Sequence, residues 1–247
     1  MENIIKLLNT ISKEYNIPES EGHYLYNNVP VPRVTHILSE MLHDDSLMGW
    51  SNYIGYYKKQ KYKDVLTRAS DIGSTVHEAI ENYIQNNVPL NIDKVKAEYV
   101  NEVNSAYHAF NEYWKILSQN NVEVLMQEQE LVCRYFGGKL DLLVRINGKI
   151  YLIDFKTSNH LSYKYFYQLA AYQYMLRESY NIEADGYIVL VLSKTSGLFE
   201  EHILHRCIPD HKRYMDACED AFLSLVYAYY NRMYTYGMYK GLFSEGY

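Results

Sequence analysis

The stretch "GGKLDLLVRINGKIYLIDFKTS", residues 137–158, decides the fold. Two apolar runs flank Asn147-Gly148, the strongest short signal for a two-residue hairpin turn. That turn pairs Ile146 with Lys149 and, counting outward, sets Asp141 opposite Asp154, with Cβ atoms about 5 Å apart. Side chains alternate across a strand. One face therefore carries Leu142, Val144, Ile146, Tyr151 and Ile153, and the other carries Leu143, Ile150, Leu152, both aspartates and Lys156. Both faces are mostly apolar, so the hairpin is expected at the centre of a sheet covered on each side. Opposed carboxylates in such a setting repel unless something cancels their charge. The same register faces Lys139 with Lys156, so a neutral quartet at the sheet's end is one answer. The other is a divalent cation held by the acids, with Lys156 aimed at whatever the cation binds.

The rest of the chain supplies layers for that sheet. Upstream, "VPRVTHILSEML" starts a helix after two prolines, and a loop or short helix containing Trp50 follows. "KDVLTRASDIGSTVHEAIENYIQ" and "NIDKVKAEYVNEVNSAYHAFNEYWKILSQ" carry apolar residues at three- and four-residue spacing, which predicts two long helices. From residue 122 the period becomes two, and "VEVLMQEQELVCRYF" reads as a strand or a bent strand pair. After the hairpin, "LSYKYFYQLAAYQYMLRESY" is a helix, "GYIVLVLS" and "LFEEHILHRCI" are strands joined by "KTSG", and a long helix closes the chain. The pattern is an α/β layer sandwich. Nothing in the composition marks a linker or repeat, so residues 1–247 are expected to form a single domain, with 1–120 mainly helical.

Composition narrows the function. At 48% hydrophobic and 22% charged residues, the 247-residue chain suits a packed soluble domain. A net charge of −6 gives no global basic field for nucleic acid, which leaves only a localised patch. The 28 tyrosines, against 7 Phe and 2 Trp, suit half-buried helices or a stacking surface. Cys133, Cys207 and Cys218 lack CxxC spacing, which argues against a zinc ribbon or a four-thiolate cluster and for reduced thiols in a cytoplasm. No apolar run reaches the ~20 residues of a membrane span. "MENIIKLLNTISKEYN" reads as a short amphipathic helix, not a signal peptide.

A set of motifs in order along the chain resembles the PD-(D/E)XK nuclease superfamily, in particular its RecB-like branch with the phage-type exonucleases and the mitochondrial genome maintenance exonuclease. Gly138 and Asp141 match its glycine and aspartate three apart. Asp154, Lys156, Thr157 and Ser158 match D-x-K-T-[SA], and Gln168 and Tyr172 match a following helix. "GSTVHEAIE" supplies Gly73, Ser74, His77 and Glu81 for an upstream G-[ST]-x-x-H pattern. "VPRVTHIL" is similar to the P-S-V-T-x-I-L entry of phage exonucleases, with Arg33 where serine is usual.

The resemblance implies a restriction-endonuclease-like core: a mixed central sheet flanked by helices, with a helical N-terminal region. It implies Asp141, Asp154, the Phe155 carbonyl and His77 as ligands to Mg²⁺ or Mn²⁺, hard cations suited to oxygen donors. Lys156 would orient the attacking water or stabilise developing charge. A further catalytic acid belongs on the preceding strand. Glu128 and Glu130 share a face there, and Glu128 lies at the better distance from Asp141. Gln168, Tyr172, Thr157 and Ser158 would contact substrate or the lysine, and Glu81 would buttress His77. "SYKYFYQ" (Tyr163, Lys164, Tyr165, Tyr167) offers stacking and phosphate contacts to a single strand, or simply a solvated helix start. The expected function is a metal-dependent DNA exonuclease acting on single strands or ends, in phage-like recombination, repair or replication, with a possible partner protein. A structure-specific endonuclease and a non-catalytic DNA-binding subunit are the alternatives.

Overall fold

A computed structural model of the chain describes Lys6 and residues 24–42, 45–158 and 161–243. The expected N-terminal amphipathic helix lies outside these residues, Lys6 apart. A short hairpin comes first, β1 (Tyr24–Tyr26) and β2 (Val29–Val31), followed by helices α1 (Val34–Met41), α2 (Asp45–Tyr56), α3 (Tyr62–Asn86) and α4 (Val100–Leu117). Strands β3 (Val122–Val132), β4 (Gly137–Ile146) and β5 (Lys149–Lys156) lead into helix α5 (Tyr163–Tyr180). Then β6 (Gly186–Leu192), β7 (Phe199–His205) and α6 (Pro209–Phe243) complete the chain.

The main sheet has five strands in the order β3-β4-β5-β6-β7. All neighbours are antiparallel except β5 and β6, which are parallel and joined by the α5 crossover. β6, with every residue of "GYIVLVL" buried, reads as the continuous apolar run that a doubly covered strand needs. Asn147 and Gly148 both have positive φ, at 50° and 85°, which the two-residue turn requires.

Alternation along the strands divides the core in two. Leu142, Val144, Tyr151, Ile153, Ile188 and Leu190 pack beneath α3 and α4. Leu143, Leu152, Val189 and Val191 pack beneath α1, α5 and α6 on the opposite face. This is the α/β, restriction-endonuclease-like arrangement expected, a mixed sheet between helical layers with a mainly helical N-terminal part.

Three details differ from expectation. The first part of "NIDKVKAEYVNEVNSAYHAF" is not α-helix. Asn91 caps a single 3₁₀ turn by accepting from the Asp93 N–H, and α4 begins only at Val100. "VEVLMQEQELV" is a single strand, the first of the two readings, but with an unforeseen register shift between Val124 and Met126. The β1–β2 hairpin was not anticipated; its turn residues Asn27 and Asn28 have φ of 50° and 63°.

Candidate active site

The site forms where β4 and β5 part. Their ladder runs from Ile146↔Lys149 to Leu142↔Ile153 and goes no further. Beyond it β4 stays paired with β3, while β5 continues beside β6 through Lys156↔Val191. Asp141 and Asp154 are the first residues past the split. The Asp141 side chain takes the place of the lost backbone bond: its Oδ2 accepts from the Phe155 N–H at 2.7 Å. The neutral quartet with Lys139 facing Lys156 therefore does not form. Lys139 pairs instead with Glu128 at 2.6 Å, and Lys156 pairs with Asp154. Diverging strands carry the two lysines to different acids.

Glu128 owes its place to the backbone. The register Gln127↔Leu142 and Gln129↔Leu140 sets it opposite Asp141. Its φ is +47°, a left-handed conformation that glutamate rarely adopts. That kink breaks the alternation under which Glu128 and Glu130 would share a face. Glu128 is half-buried in the site, while Glu130 is exposed and stands opposite Lys139 in the ladder.

His77 comes from α3, in the helical layer under the other face of the sheet. Its Nε2 donates to the Phe155 carbonyl at 3.1 Å, and its Nδ1 lies 3.6 Å from Asp141 Oδ1 and 3.7 Å from Glu128 Oε1. Burial disfavours the imidazolium, but Asp141 and Glu128 outweigh it, and the His77 pKa is pushed up to about 9. Burial also works against the Glu128 carboxylate, and His77 and Lys139 more than offset it, so its pKa lies below the ordinary value.

Asp154 is fully buried, 0% exposed. Burial raises its pKa, Lys156 pulls the other way, and Asp141 adds to the rise. The Lys156 ammonium sits astride the carboxylate, 2.8 Å from Oδ1 in hydrogen-bond geometry and 2.7 Å from Oδ2 without it, so Oδ2 keeps an unused lone pair. Burial opposes charge on Lys156 as well, and Asp154 and Asp141 hold it protonated. A second donor bond from Lys156 reaches Gln168 Oε1 at 3.2 Å, and the ammonium lies over the Tyr165 ring, 5.0 Å from its centroid. Gln168 Nε2 in turn donates to the Tyr172 hydroxyl at 2.8 Å. Gln168 and Tyr172 are thus buried supports of the lysine.

Close approach explains two of the motif glycines. A Cβ on Gly138 would lie 2.6 Å from Tyr172 Cε1, so glycine lets the α5 ring rest on β4. A Cβ on Gly73 would lie 3.3 Å from Thr157 Oγ1, where α3 crosses the end of β5. Thr157 and Ser158 are half-buried at that crossing. Glu81 is next to the site, lining a cleft of about 390 Å³ with Gly73, Ser74, His77, Glu78, Glu128 and Lys139. Of "SYKYFYQ", Tyr165 is occupied by Lys156 and Lys164 donates to the Leu42 carbonyl at 3.1 Å. Sequence reasoning set Lys139 against Lys156 and offered Tyr165 to a substrate strand; the structure instead pairs Lys139 with Glu128 and lays Tyr165 under Lys156.

His77, Glu128 and Asp141 bring one nitrogen and two carboxylate oxygens within 4.8 Å of one another. This hard, mostly anionic donor set fits a divalent cation. Asp154 itself is engaged by Lys156, and the Phe155 carbonyl by His77. Both therefore stand beside this three-residue cluster rather than within it.

Among solved structures, similarity is found to SSO0001, at 15% identity over 91% of this chain and 87% of that one, with a TM-score of 0.38. It is also found to a phage related exonuclease from Haemophilus somnus 129PT, at 7% identity over 90% and 99%, with a TM-score of 0.33. Superpositions this loose carry no argument. No curated protein matches the chain. The family model that does match covers residues 52–221, from the end of α2 into α6, and so takes in His77, the split hairpin and α5; the chain belongs to the PD-(D/E)XK nuclease superfamily.

Proposed function

We propose that the chain is a RecB-like, metal-dependent deoxyribonuclease that acts as one domain and removes nucleotides from DNA ends or single strands, in phage-like recombination, repair or replication inside the cell. The observation that carries this reading is the convergence of His77, Glu128 and Asp141 beside a half-buried, charged Lys156.

His77, Glu128 and Asp141 would hold Mg²⁺ or Mn²⁺, and the imidazole favours Mn²⁺. Such an ion supplies Lewis acidity toward a phosphate oxygen. To take part, His77 gives up the proton on Nδ1, the nitrogen facing the acids, and keeps the Nε2 proton on the Phe155 carbonyl, which fixes the ring. The motif implies that Asp154 joins them as a ligand, and its Oδ2, which makes no hydrogen bond, is the atom left for that. Its first task here is to hold Lys156. The ammonium, fixed by Asp154, Gln168 and the Tyr165 ring, presents positive charge where the phosphate becomes more negative. Burial of Asp154 and Gln168, with Lys156 half-buried between them, strengthens that interaction over its value in water. Thr157 and Ser158, at the end of β5, would meet the substrate backbone.

The test is release of nucleotides from end-labelled linear DNA with Mg²⁺ or Mn²⁺. Chelator and Lys156→Ala should each abolish it. An exonuclease leaves circular single-stranded DNA whole; cutting of that circle would replace the exonuclease by an endonuclease. No cleavage of linear, single-stranded or circular DNA with either metal would end both readings.

A further inference from the structure

Residues 49–63, "GWSNYIGYYKKQKYK", hold four lysines, four tyrosines and no acidic residue, within a chain of net charge −6. They form the end of α2, the link after it and the start of α3, and none of the motifs uses them. Ile54 is the buried anchor of this segment. Around it the rings stand in solvent, with Tyr56 69% and Tyr57 70% exposed and Tyr53 and Tyr62 also exposed. Tyr56 and Tyr57 meet edge to face at 4.9 Å, Tyr53 and Tyr57 lie 5.4 Å apart, and Lys59 stands over Tyr56 at 4.9 Å. Lys58, Lys61 and Lys63 are exposed beside them. Gly49 and Gly55 border an open groove of about 680 Å³ lined by Ser51, Asn52, Tyr53, Tyr56, Tyr57 and Lys59.

Exposed tyrosines leave a large apolar face in water unless something covers it. Here the cover must suit both flat rings and a run of ammonium groups. Single-stranded DNA offers both, since every base has a face to stack and every phosphate a charge to neutralise. A duplex hides its base faces, and an acidic protein segment has no aromatic planes to match the rings.

We propose that this aromatic-lysine groove is a docking track for single-stranded DNA, feeding the strand toward the His77 cluster. The inference rests on the nuclease reading for its direction but not for its chemistry. α3 connects the two places: it starts at Tyr62 and carries His77 fifteen residues on, about 22 Å along its axis. At about 3.4 Å per stacked nucleotide, that spans six or seven nucleotides. A strand must exceed this length to touch both.

The test is fluorescence anisotropy with labelled oligo-dT of 4 and 12 nucleotides, and a 12-base-pair duplex, in EDTA so that nothing is cut. The full chain should bind the 12-mer more tightly than the 4-mer. Tyr56→Ala/Tyr57→Ala should weaken the 12-mer at least fivefold. Changing Lys58, Lys59, Lys61 and Lys63 to Gln should flatten the slope of log affinity against log salt by about 2.8, at about 0.7 per phosphate contact. Photo-cross-linking from 4-thiothymidine in the 12-mer to residues 53–63 of the unaltered chain needs no variant. A tyrosine variant that binds the 12-mer within twofold of the parent, equal losses on duplex, or cross-links wholly outside this segment would overturn the proposal. A chain that cuts no DNA but holds the 12-mer through these rings would sink the nuclease reading alone; one that cuts, with 12-mer affinity unaltered in the tyrosine variant, would sink only the track.

Discussion

Gly138→Ala is the sharpest probe of how the fold holds its lysine. The added Cβ would lie 2.6 Å from Tyr172 Cε1 and 3.3 Å from Val34 Cγ2. Carbon atoms pack at about 3.5–4.0 Å, so the ring must retreat by about 1 Å. Overpacking of this kind costs about 1–3 kcal/mol, or a fall of about 2–12 °C in melting temperature for a chain of this size. The ring cannot move alone. Its hydroxyl accepts from Gln168, whose carbonyl holds Lys156. Displacing the ammonium by a fraction of that distance should slow cleavage by up to about 100-fold. The assay is a double-mutant cycle read by thermal unfolding. Tyr172→Leu lacks the colliding ring edge, so Gly138→Ala should be nearly neutral in that background, a coupling of about 1–3 kcal/mol. If Gly138→Ala costs under about 0.5 kcal/mol in the parent, or the same in both backgrounds, the packing argument is wrong.

Other consequences can be measured alongside. Lys156→Ala leaves Asp154 buried without its cation, so beyond losing activity it should lose about 3–5 kcal/mol of stability near neutral pH. Because burial raises the Asp154 pKa, that loss should shrink as pH falls and the carboxyl takes a proton, which urea unfolding at a series of pH values would show. His77 gives the opposite handle. Its pKa of about 9 lies above the unfolded value of 6.5, so its stabilisation is full below pH 6.5 and is lost as pH rises through 9. In EDTA stability should therefore fall across that window by on the order of 3 kcal/mol, read as a falling melting temperature, and His77→Gln should flatten the fall. Added Mn²⁺ should raise the melting temperature more at pH 8.5 than at pH 6, since binding displaces the His77 proton. Isothermal titration should show Glu128→Ala losing most Mn²⁺ affinity and Glu130→Ala retaining it.

The layers were legible because period and turn chemistry agree locally. Asn147-Gly148 fixed the hairpin register, and alternation then assigned Leu142 and Leu143 to opposite cores correctly. The Asn27-Asn28 turn carried the same kind of signal between short flanks and could have been read. What sequence could not give was where the ladder stops. Parting of β4 from β5 after Leu142↔Ile153 follows from competition, since β3 and β6 each capture one strand. Lys139 and Lys156 are thereby separated, although hairpin counting places them face to face. The kink at Glu128 is equally invisible, because no residue type there announces a positive φ. Sequence spacing brought out the acids and the lysine; their partnerships depend on three different strands and two helical layers.

The central claim is that His77, Glu128 and Asp141 share one divalent cation, beside a lysine that is already charged. Anomalous diffraction from a crystal soaked in manganese tests it directly. A single peak within bonding distance of the imidazole and both carboxylates is the predicted result. A peak elsewhere, or an imidazole still closed onto two bare carboxylates at saturating manganese, would contradict it.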